Sequence, residues 1–400
     1  MHRVIFLVDM NAFFISCEST RHPEIIGKPA AVAGDPKNRS GIILTANYEA
    51  RKFGVKTTMV LHKVLKLCPN IIIIPPDHCF YKQKSKEVMG ILSKYTPVIE
   101  KNSIDEAWLD MTGCERIFGR SYQTAECIMK HINSELGLDC SIGISENKFL
   151  AKMASQMKKP LGITKLWKKD IELKLWPLPV EFMNGIGKQT ARKLREMKIK
   201  TIGELANFDR RYLIKKLGKV GAEIHQFANG IDVSPVTPHS HKDVKSIGKS
   251  ITLAHDISDI ESAKVILMEL SDKVGMTARK YNKKGHTVQI NIKYSNFQSI
   301  TRQRTITETY LVKEIYSAGI EMLEKNWNER LPVRLLGISL SGFSKYNEDE
   351  QISMFNMLEI DNEKSSVRKI DKIEAAIDSI RKKYGDSIIK SGSLIKKSKN

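Results

Sequence analysis

The chain has 400 residues, with 65 Lys and Arg against 45 Asp and Glu, giving a formal net charge of +20. This is more chain than one ordinary core holds, so two to four domains are expected. Such an excess of positive charge favours a polyanionic partner, nucleic acid before an anionic membrane surface, and no apolar run approaches the length of a membrane span. The six cysteines (Cys17, Cys68, Cys79, Cys114, Cys127, Cys140) are scattered without a CxxC pair. That argues against a structural zinc site and against a secreted disulfide scaffold.

Residues 4–8 are wholly apolar, as expected for a central strand covered on both faces. The run is too short for a signal peptide, and a cytoplasmic protein is expected. Asp9 closes the strand, and Met10 to Glu18 reads as the first turns of a helix. An acid there is a common helix cap and an equally common metal ligand. A Gly- and Pro-punctuated segment follows, with strands at 30–33 and 42–44 and a helix from about Thr45. On that helix Thr45, Tyr48 and Arg51 fall at i, i+3 and i+6, one face of groups able to hydrogen-bond phosphate oxygens. A strand at 71–74 ends in Pro75-Pro76.

A helix over 81–95 leads to the most telling stretch, Ser103-Ile104-Asp105-Glu106. Apolar runs at 97–99 and 107–109 flank it, the pattern of a hairpin with two carboxylates at its tip. Alone it also reads as an exposed acidic turn, since Asp is a common turn former. Joined to Asp9 it fits a two-metal site built from convergent strand ends. A helix at 121–136, a strand at 139–145 and a helix at 147–157 then complete a sheet with helices packed on one side, an α+β unit of split βαβ type. Lys159 stands just beyond the last helix, either as an exposed cation or reaching back over a phosphate.

Residues 168–236 turn to short helices rich in Lys and Arg. Within them Gly185-Ile186-Gly187-Lys188 carries the helix-hairpin-helix signature, whose glycines expose backbone N–H groups to a DNA phosphate without reading sequence. Leu217-Gly218-Lys219-Val220-Gly221 is a weaker second copy. After a Pro-containing linker, strands at 246–253, 287–294, 301–307 and 335–342 alternate with helices at 263–281 and 311–326. Basic residues at those strands, Lys245, Lys249, Lys293, Arg302 and Arg304, suit a nucleic-acid backbone. Gln351-Ile352-Ser353-Met354-Phe355 is an isolated apolar peptide able to dock in a partner's groove. Ile370, Ile373, Ile377, Ile380 and Tyr384 then repeat at helical spacing.

Taken together the residues resemble the Y-family, lesion-bypass DNA polymerases, over roughly residues 4–343 and in the right order. The resemblance rests on Val8-Asp9-Met10-Asn11-Ala12-Phe13-Phe14, Thr45-Ala46-Asn47-Tyr48-Glu49-Ala50-Arg51, Ser103-Ile104-Asp105-Glu106-Ala107, Gly143-Ile144-Ser145-Glu146-Asn147-Lys148, Lys159-Pro160-Leu161-Gly162 and the Gly-Ile-Gly hairpin. It implies a multidomain α+β fold, the right-hand polymerase. A ferredoxin-like palm would take 1–12 and 77–166, small fingers 13–76, and a helix-hairpin-helix thumb 167–236. A linker at 237–245 would lead to an α+β little finger at 246–343 and a tail at 344–400. Asp9, Asp105, Glu106 and the Met10 carbonyl would hold two Mg2+ ions, one acting on the primer 3′-hydroxyl and the other on the triphosphate. Asp105 and Glu106 are the catalytic acids in this pattern. Thr45, Tyr48, Arg51 and Lys159 would neutralise the triphosphate, Phe14 would be the steric gate against ribose, and Phe13 would pack beside the sugar.

The resemblance also implies primer-template DNA, deoxynucleotides and a sliding clamp as partners, the clamp held through Gln351, Met354 and Phe355. A monomer without membrane contact is expected. Two positions depart from the family pattern. Asn11 stands where many members carry Asp, at a place that is not a ligand, and Met59-Val60 replaces the usual Met-Pro near the templating base. The rival readings are another metal-dependent phosphoryl-transfer enzyme, such as a nucleotide cyclase, and a non-catalytic DNA-damage-response protein that keeps the fold.

Overall fold

The computed structural model describes residues 3–35, 41–238, 244–343, 357–385 and 388–389, with side chains omitted for 357–369. The described residues up to 238 form one compact unit and those from 244 a second. The Gln351–Phe355 peptide expected to meet a clamp lies outside the described residues. No helix among them is long and apolar enough to cross a membrane.

In the first unit, β1 (Ile5–Met10) is buried at every residue. The helix expected directly after Asp9 starts later, because backbone pairing on both sides carries the strand through Met10. Met10 N–H donates to the Asp105 carbonyl and Asn11 N–H to that of Asp139. Ala12 then takes a left-handed turn (φ 47°) into α1 (Phe13–Ser19).

A small sheet follows from β2 (Ala30–Ala33) and β3 (Ile43–Ala46). After α2 (Tyr48–Lys52) and α3 (Leu61–Leu67), β4 (Ile72–Ile74) completes it in the order β3-β2-β4. Thr45 therefore lies on a strand, not on the helical face expected for it with Tyr48 and Arg51. The reason is Asn47, whose side chain accepts from Ala50 N–H and fixes the helix start at Tyr48, three residues past Thr45.

The main sheet is assembled from α4 (His78–Leu92), β5 (Ile99–Lys101), β6 (Glu106–Asp110), α5 (Glu115–Phe118), α6 (Ser121–Leu136), β7 (Cys140–Ser145), α7 (Lys148–Met157) and β8 (Ile163–Lys165). Its strand order is β5-β6-β1-β7-β8. The β1-α4-β5-β6-α6-β7 path is the ferredoxin-like arrangement, and α7 with β8 adds a parallel strand beside β7. Phe6, Val8 and Met10 meet Tyr81, Val88 and Ile91 of α4 and Ile128 and Ile132 of α6. Ile5 and Leu7 meet Ala151 of α7, Trp108 and Val236 on the opposite face. Helices thus cover both faces, not one. The wholly apolar β1 requires this, since successive side chains point to opposite sides.

Helices α8 (Ile171–Lys174), α9 (Lys188–Glu196), α10 (Ile202–Ala206), α11 (Arg210–Leu217) and α12 (Lys219–Ala228) share a core built on Leu175, Val180, Leu194, Ile202, Leu205 and Leu213. Residues 231–238, which span the end of the expected thumb and the start of the expected linker, lie along the back of the main sheet. Val236 is buried there, Ser234 carbonyl accepts from Arg3, and Thr237 N–H donates to Glu100 at 2.8 Å.

The second unit runs β9 (Ser246–Ile257), α13 (Ile260–Lys280), β10 (Gly285–Tyr294), β11 (Ser299–Thr309), α14 (Val312–Lys325) and β12 (Val333–Phe343), with strands in the order β11-β10-β12-β9. All pairings are antiparallel, and α13 and α14 cover one face. The terminal α15 (Met357–Tyr384) folds back onto this helical layer. It docks by charge: Arg279 binds Asp378 (Nε to Oδ2, 2.6 Å) and Glu374, Tyr310 donates to Asp371 (3.0 Å), and Arg381 meets Asp272 (2.9 Å). The helix expected from the spacing of Ile370 to Tyr384 is present, with Ile373, Ile380 and Tyr384 facing solvent.

Candidate active site

The hairpin β5–β6 places Glu106 directly across from Asp9 in the antiparallel register with β1. Antiparallel partners sit side by side with their side chains on one face, so two carboxylates are forced together by backbone pairing alone. Asp9 is buried, and Glu106 half-buried. Asp105 occupies the turn one residue earlier; its carboxylate accepts from Ser103 Oγ at 2.5 Å and its carbonyl from Met10 N–H. Among the described residues no three acid, His or Cys side chains close on one point as a ligand set.

Two lysines supply the compensating charge. Lys152, buried on α7, reaches Asp9 Oδ2 at 3.3 Å and also pairs with Glu106 Oε1. Lys159, in the turn after α7, reaches Asp9 Oδ1 at 2.6 Å and remains partly exposed. Asn102 Nδ2 donates to Glu106 Oε2 at 2.8 Å. Burial pushes the Asp9 carboxyl up to about 6, with the Glu106 charge adding to it while Lys159 and Lys152 pull it down. Burial acts on Glu106 in the same sense, but the Lys152 charge and hydrogen bond, joined by Asn102, hold that carboxyl below its ordinary range. Facing acids that share a cation divide in this way, one kept ionised and the other made easier to protonate.

Hard carboxylate oxygens, partly desolvated and already drawing positive charge, are the donor set that a divalent ion such as Mg2+ takes. The residues present therefore fit such an ion.

Around the pair, the expected nucleotide groups separate. Arg51 lies over the Tyr48 ring at 4.8 Å and donates to the Ala46 carbonyl. The Tyr48 hydroxyl and Asn11 Nδ2 are buried without a hydrogen-bond partner. Burial raises the Tyr48 pKa, against the pull of Arg51. Phe14 is half-buried and stacks on Tyr81 with centroids 4.4 Å apart and planes at 14°. Tyr81 is itself held by a 2.5 Å bond to the buried Glu18. Phe13 belongs to the core, 3% exposed.

The predicted DNA-contacting residues fall into two groups. Gly185 takes φ 90°, which only glycine adopts readily, and Gly187 is the N-cap of α9, with no side chain over the helix start that Lys188 opens. In the second unit Lys245 and Lys249 are exposed on or beside β9. Arg302 and Arg304 are turned to the helical layer, Arg302 bonding Asn326 at 2.8 Å and Arg304 pairing with Glu321. A shallow depression over the sheet is lined by uncharged Ser250, Gln289, Asn291 and Ser339, together with Lys249.

Three family models match the chain: the impB/mucB/samB family over residues 8–156, its C-terminal domain over 244–354, and the thumb domain of DNA polymerase-iota over 183–232. DNA polymerase IV of Alkaliphilus oremlandii is 55% identical, covering 99% of this chain and 100% of that one. DNA polymerase IV of Oceanobacillus iheyensis is 43% identical over 98% of this chain and 91% of its own. The chain belongs to the Y-family DNA polymerases, in the DNA polymerase IV branch.

It resembles a solved Y-family DNA polymerase chimera of Dbh and Dpo4 with a TM-score of 0.74 and 25% identity, over 85% of this chain and 99% of that one. The multidomain α+β fold and a DNA-directed DNA polymerase of the translesion kind follow from this membership, and divalent-metal dependence goes with the family. The non-catalytic alternative is not favoured.

Lys152 was missed at the sequence level, yet its signal was there. It stands within Phe149-Leu150-Ala151-Lys152-Met153-Ala154-Ser155, a helical run buried on every side. A lysine inside such a run needs a buried acid.

Proposed function

We propose that this Y-family polymerase carries out template-directed, error-prone synthesis past damaged bases, without proofreading, at a two-ion site on the Asp9–Glu106 strand pair. The in-register carboxylates with two lysines over them carry this reading. Asp9, the Met10 carbonyl, Asp105 and Glu106 are the ligands, Asp105 exchanging its Ser103 bond for that role. Two bound Mg2+ ions would lower the pKa of the primer 3′-hydroxyl and neutralise the triphosphate and the leaving pyrophosphate.

The side chains bind and orient the nucleotide. Lys159, partly exposed, swings from Asp9 to the phosphates. Thr45, Arg51 and the Tyr48 hydroxyl, a buried donor in want of an acceptor, complete the anion site. Phe14, braced flat on Tyr81, excludes the ribose 2′-hydroxyl, and Phe13 supports it from the core. Residues 1–12 and 77–166 act as palm, 13–76 as fingers, 167–236 as thumb and 246–343 as little finger. The start of α9 at Gly185, Gly187 and Lys188 takes a backbone phosphate of the duplex. Lys245, Lys249, Arg302 and Arg304 add positive charge in the second unit. The enzyme works as a cytoplasmic monomer, brought to primer ends by a sliding clamp through residues 351–355.

Primer extension with magnesium and deoxynucleotides tests the reading. Asp105→Ala abolishes extension, and Phe14→Ala admits ribonucleotides. Equal extension by Asp105→Ala would sink the site assignment, and unchanged sugar discrimination would sink the gate.

A further inference from the structure

Lys159 and Lys152 both meet the acid pair, but they are not equivalent. Lys159 is the more accessible: its side chain is 28% exposed, and it sits in a turn. Lys152 is fixed in the middle of α7, its side chain 8% exposed, with its ammonium between Asp9 and Glu106. The turn of α7 that carries it lies against the main sheet so closely that Gly143 on β7 has no room for a Cβ: Ala151 O would be 1.9 Å away. The lysine is therefore delivered to the carboxylates by rigid backbone packing, not by a long side chain searching from the surface.

Within the Asp9–Glu106 pair the charges balance without an added ion. These two acids face Lys152 and Lys159, two anions against two cations, while the third acid, Asp105, is engaged by the Ser103 hydroxyl. A divalent cation arriving alone would leave that pocket with surplus positive charge, which a low-dielectric site strongly disfavours. An ion arriving with a triphosphate would not, since the phosphates draw Lys159 away and bring negative charge of their own.

We propose that Lys152 is a positioning residue, a resident counterion that occupies the cation position between Asp9 and Glu106 until a divalent ion displaces it. This rests on the reading of Asp9 and Glu106 as metal ligands. Lys152 holds the two acids together while the site is idle, and it makes tight ion binding conditional on nucleotide.

The test is calorimetric titration of the full chain with Mn2+, with and without a non-hydrolysable deoxynucleotide, for the parent, Lys152→Met, Lys152→Arg and Asp9→Asn. Lys152→Met binds Mn2+ about tenfold or more tighter than the parent without nucleotide, because no internal cation must leave. The nucleotide then adds less to its affinity than to that of the parent. Lys152→Arg, which keeps the charge, stays close to the parent. A second measurement uses the parent alone, so that it does not depend on any variant folding. Acetylation of Lys152, followed by mass spectrometry, is slow without ligands and speeds up when Mn2+ is added together with the non-hydrolysable deoxynucleotide. If Lys152→Met binds Mn2+ no more tightly than the parent, or if Lys152 acetylation is indifferent to Mn2+ added with the nucleotide, the proposal is overturned. Failure of the underlying reading looks different: parent and Asp9→Asn would then bind Mn2+ alike, even with nucleotide present.

Discussion

Gly143→Ala is the sharpest test of how the fold builds the site. Gly143 lies on β7, next to β1, and is far in sequence from the acids. An added Cβ would stand 1.9 Å from Ala151 O and 2.4 Å from Ser155 N, both in the backbone of α7. Backbone cannot rotate aside as a side chain can, so α7 has to retreat by about 1 Å to restore ordinary contact. Lys152 lies between those two residues and retreats with it, beyond hydrogen-bonding reach of Asp9. Overpacking of this kind costs about 3 kcal/mol, the upper end of its usual range. With the ammonium drawn away from the acids, Mn2+ binds about tenfold more tightly without nucleotide, as for Lys152→Met. Urea unfolding followed by circular dichroism measures the first, and calorimetric Mn2+ titration at a temperature where the variant is folded measures the second. A variant within about 0.5 kcal/mol and twofold of the parent would refute the claim that strand–helix contact sets the geometry.

Two further outcomes follow from the electrostatics. In the metal-free protein Asp9 titrates at about 6, raised from 3.8, so between those values the folded chain binds more protons than the unfolded one. Its contribution to stability is present at low pH and is lost as pH rises through about 6, by at most about 3 kcal/mol. Asp9→Asn removes that loss, so in EDTA its stability relative to the parent grows from pH 4 to pH 7. A constant difference across that range would contradict the assignment. In the second unit, Arg279→Met leaves Glu374 and Asp378 without their guanidinium, and a broken buried pair costs about 3–5 kcal/mol unless the helix detaches. Hydrogen exchange over residues 370–384 should rise to the level of an exposed helix; protection equal to that of the parent would show that α15 is held by something else.

The sequence revealed most where local pattern and tertiary demand agreed. The wholly apolar 4–8 run, the acidic hairpin and the 121–136 helix are all present, the last with the expected limits. Thr45 was misplaced because periodicity was followed past Asn47, although an Asn before Tyr-Glu-Ala is a readable cap. The helix at 370–384 was legible, but not what it docks on. Its docked side is charged, and the partners Arg279, Tyr310 and Asp272 lie far away in sequence, where helical spacing carries no information. Register explains why the acid pair could be suspected but not assigned: that Glu106, not Asp105, faces Asp9 depends on a single residue of strand alignment.

The segment at 231–238 bears on where this molecule can be cut. Val236 covers Ile5 and Leu7, and the backbone around it is tied to Arg3 and Glu100. The strap, though it follows the last helix of the first unit, is thus part of that unit's core. Val236 is the one buried residue of that stretch, and a fragment ending at 230 would bare the strip of β1 it covers and tend to self-associate. One ending at 238 keeps its cover, so a cut that separates the two halves belongs beyond Pro238 and not directly after α12.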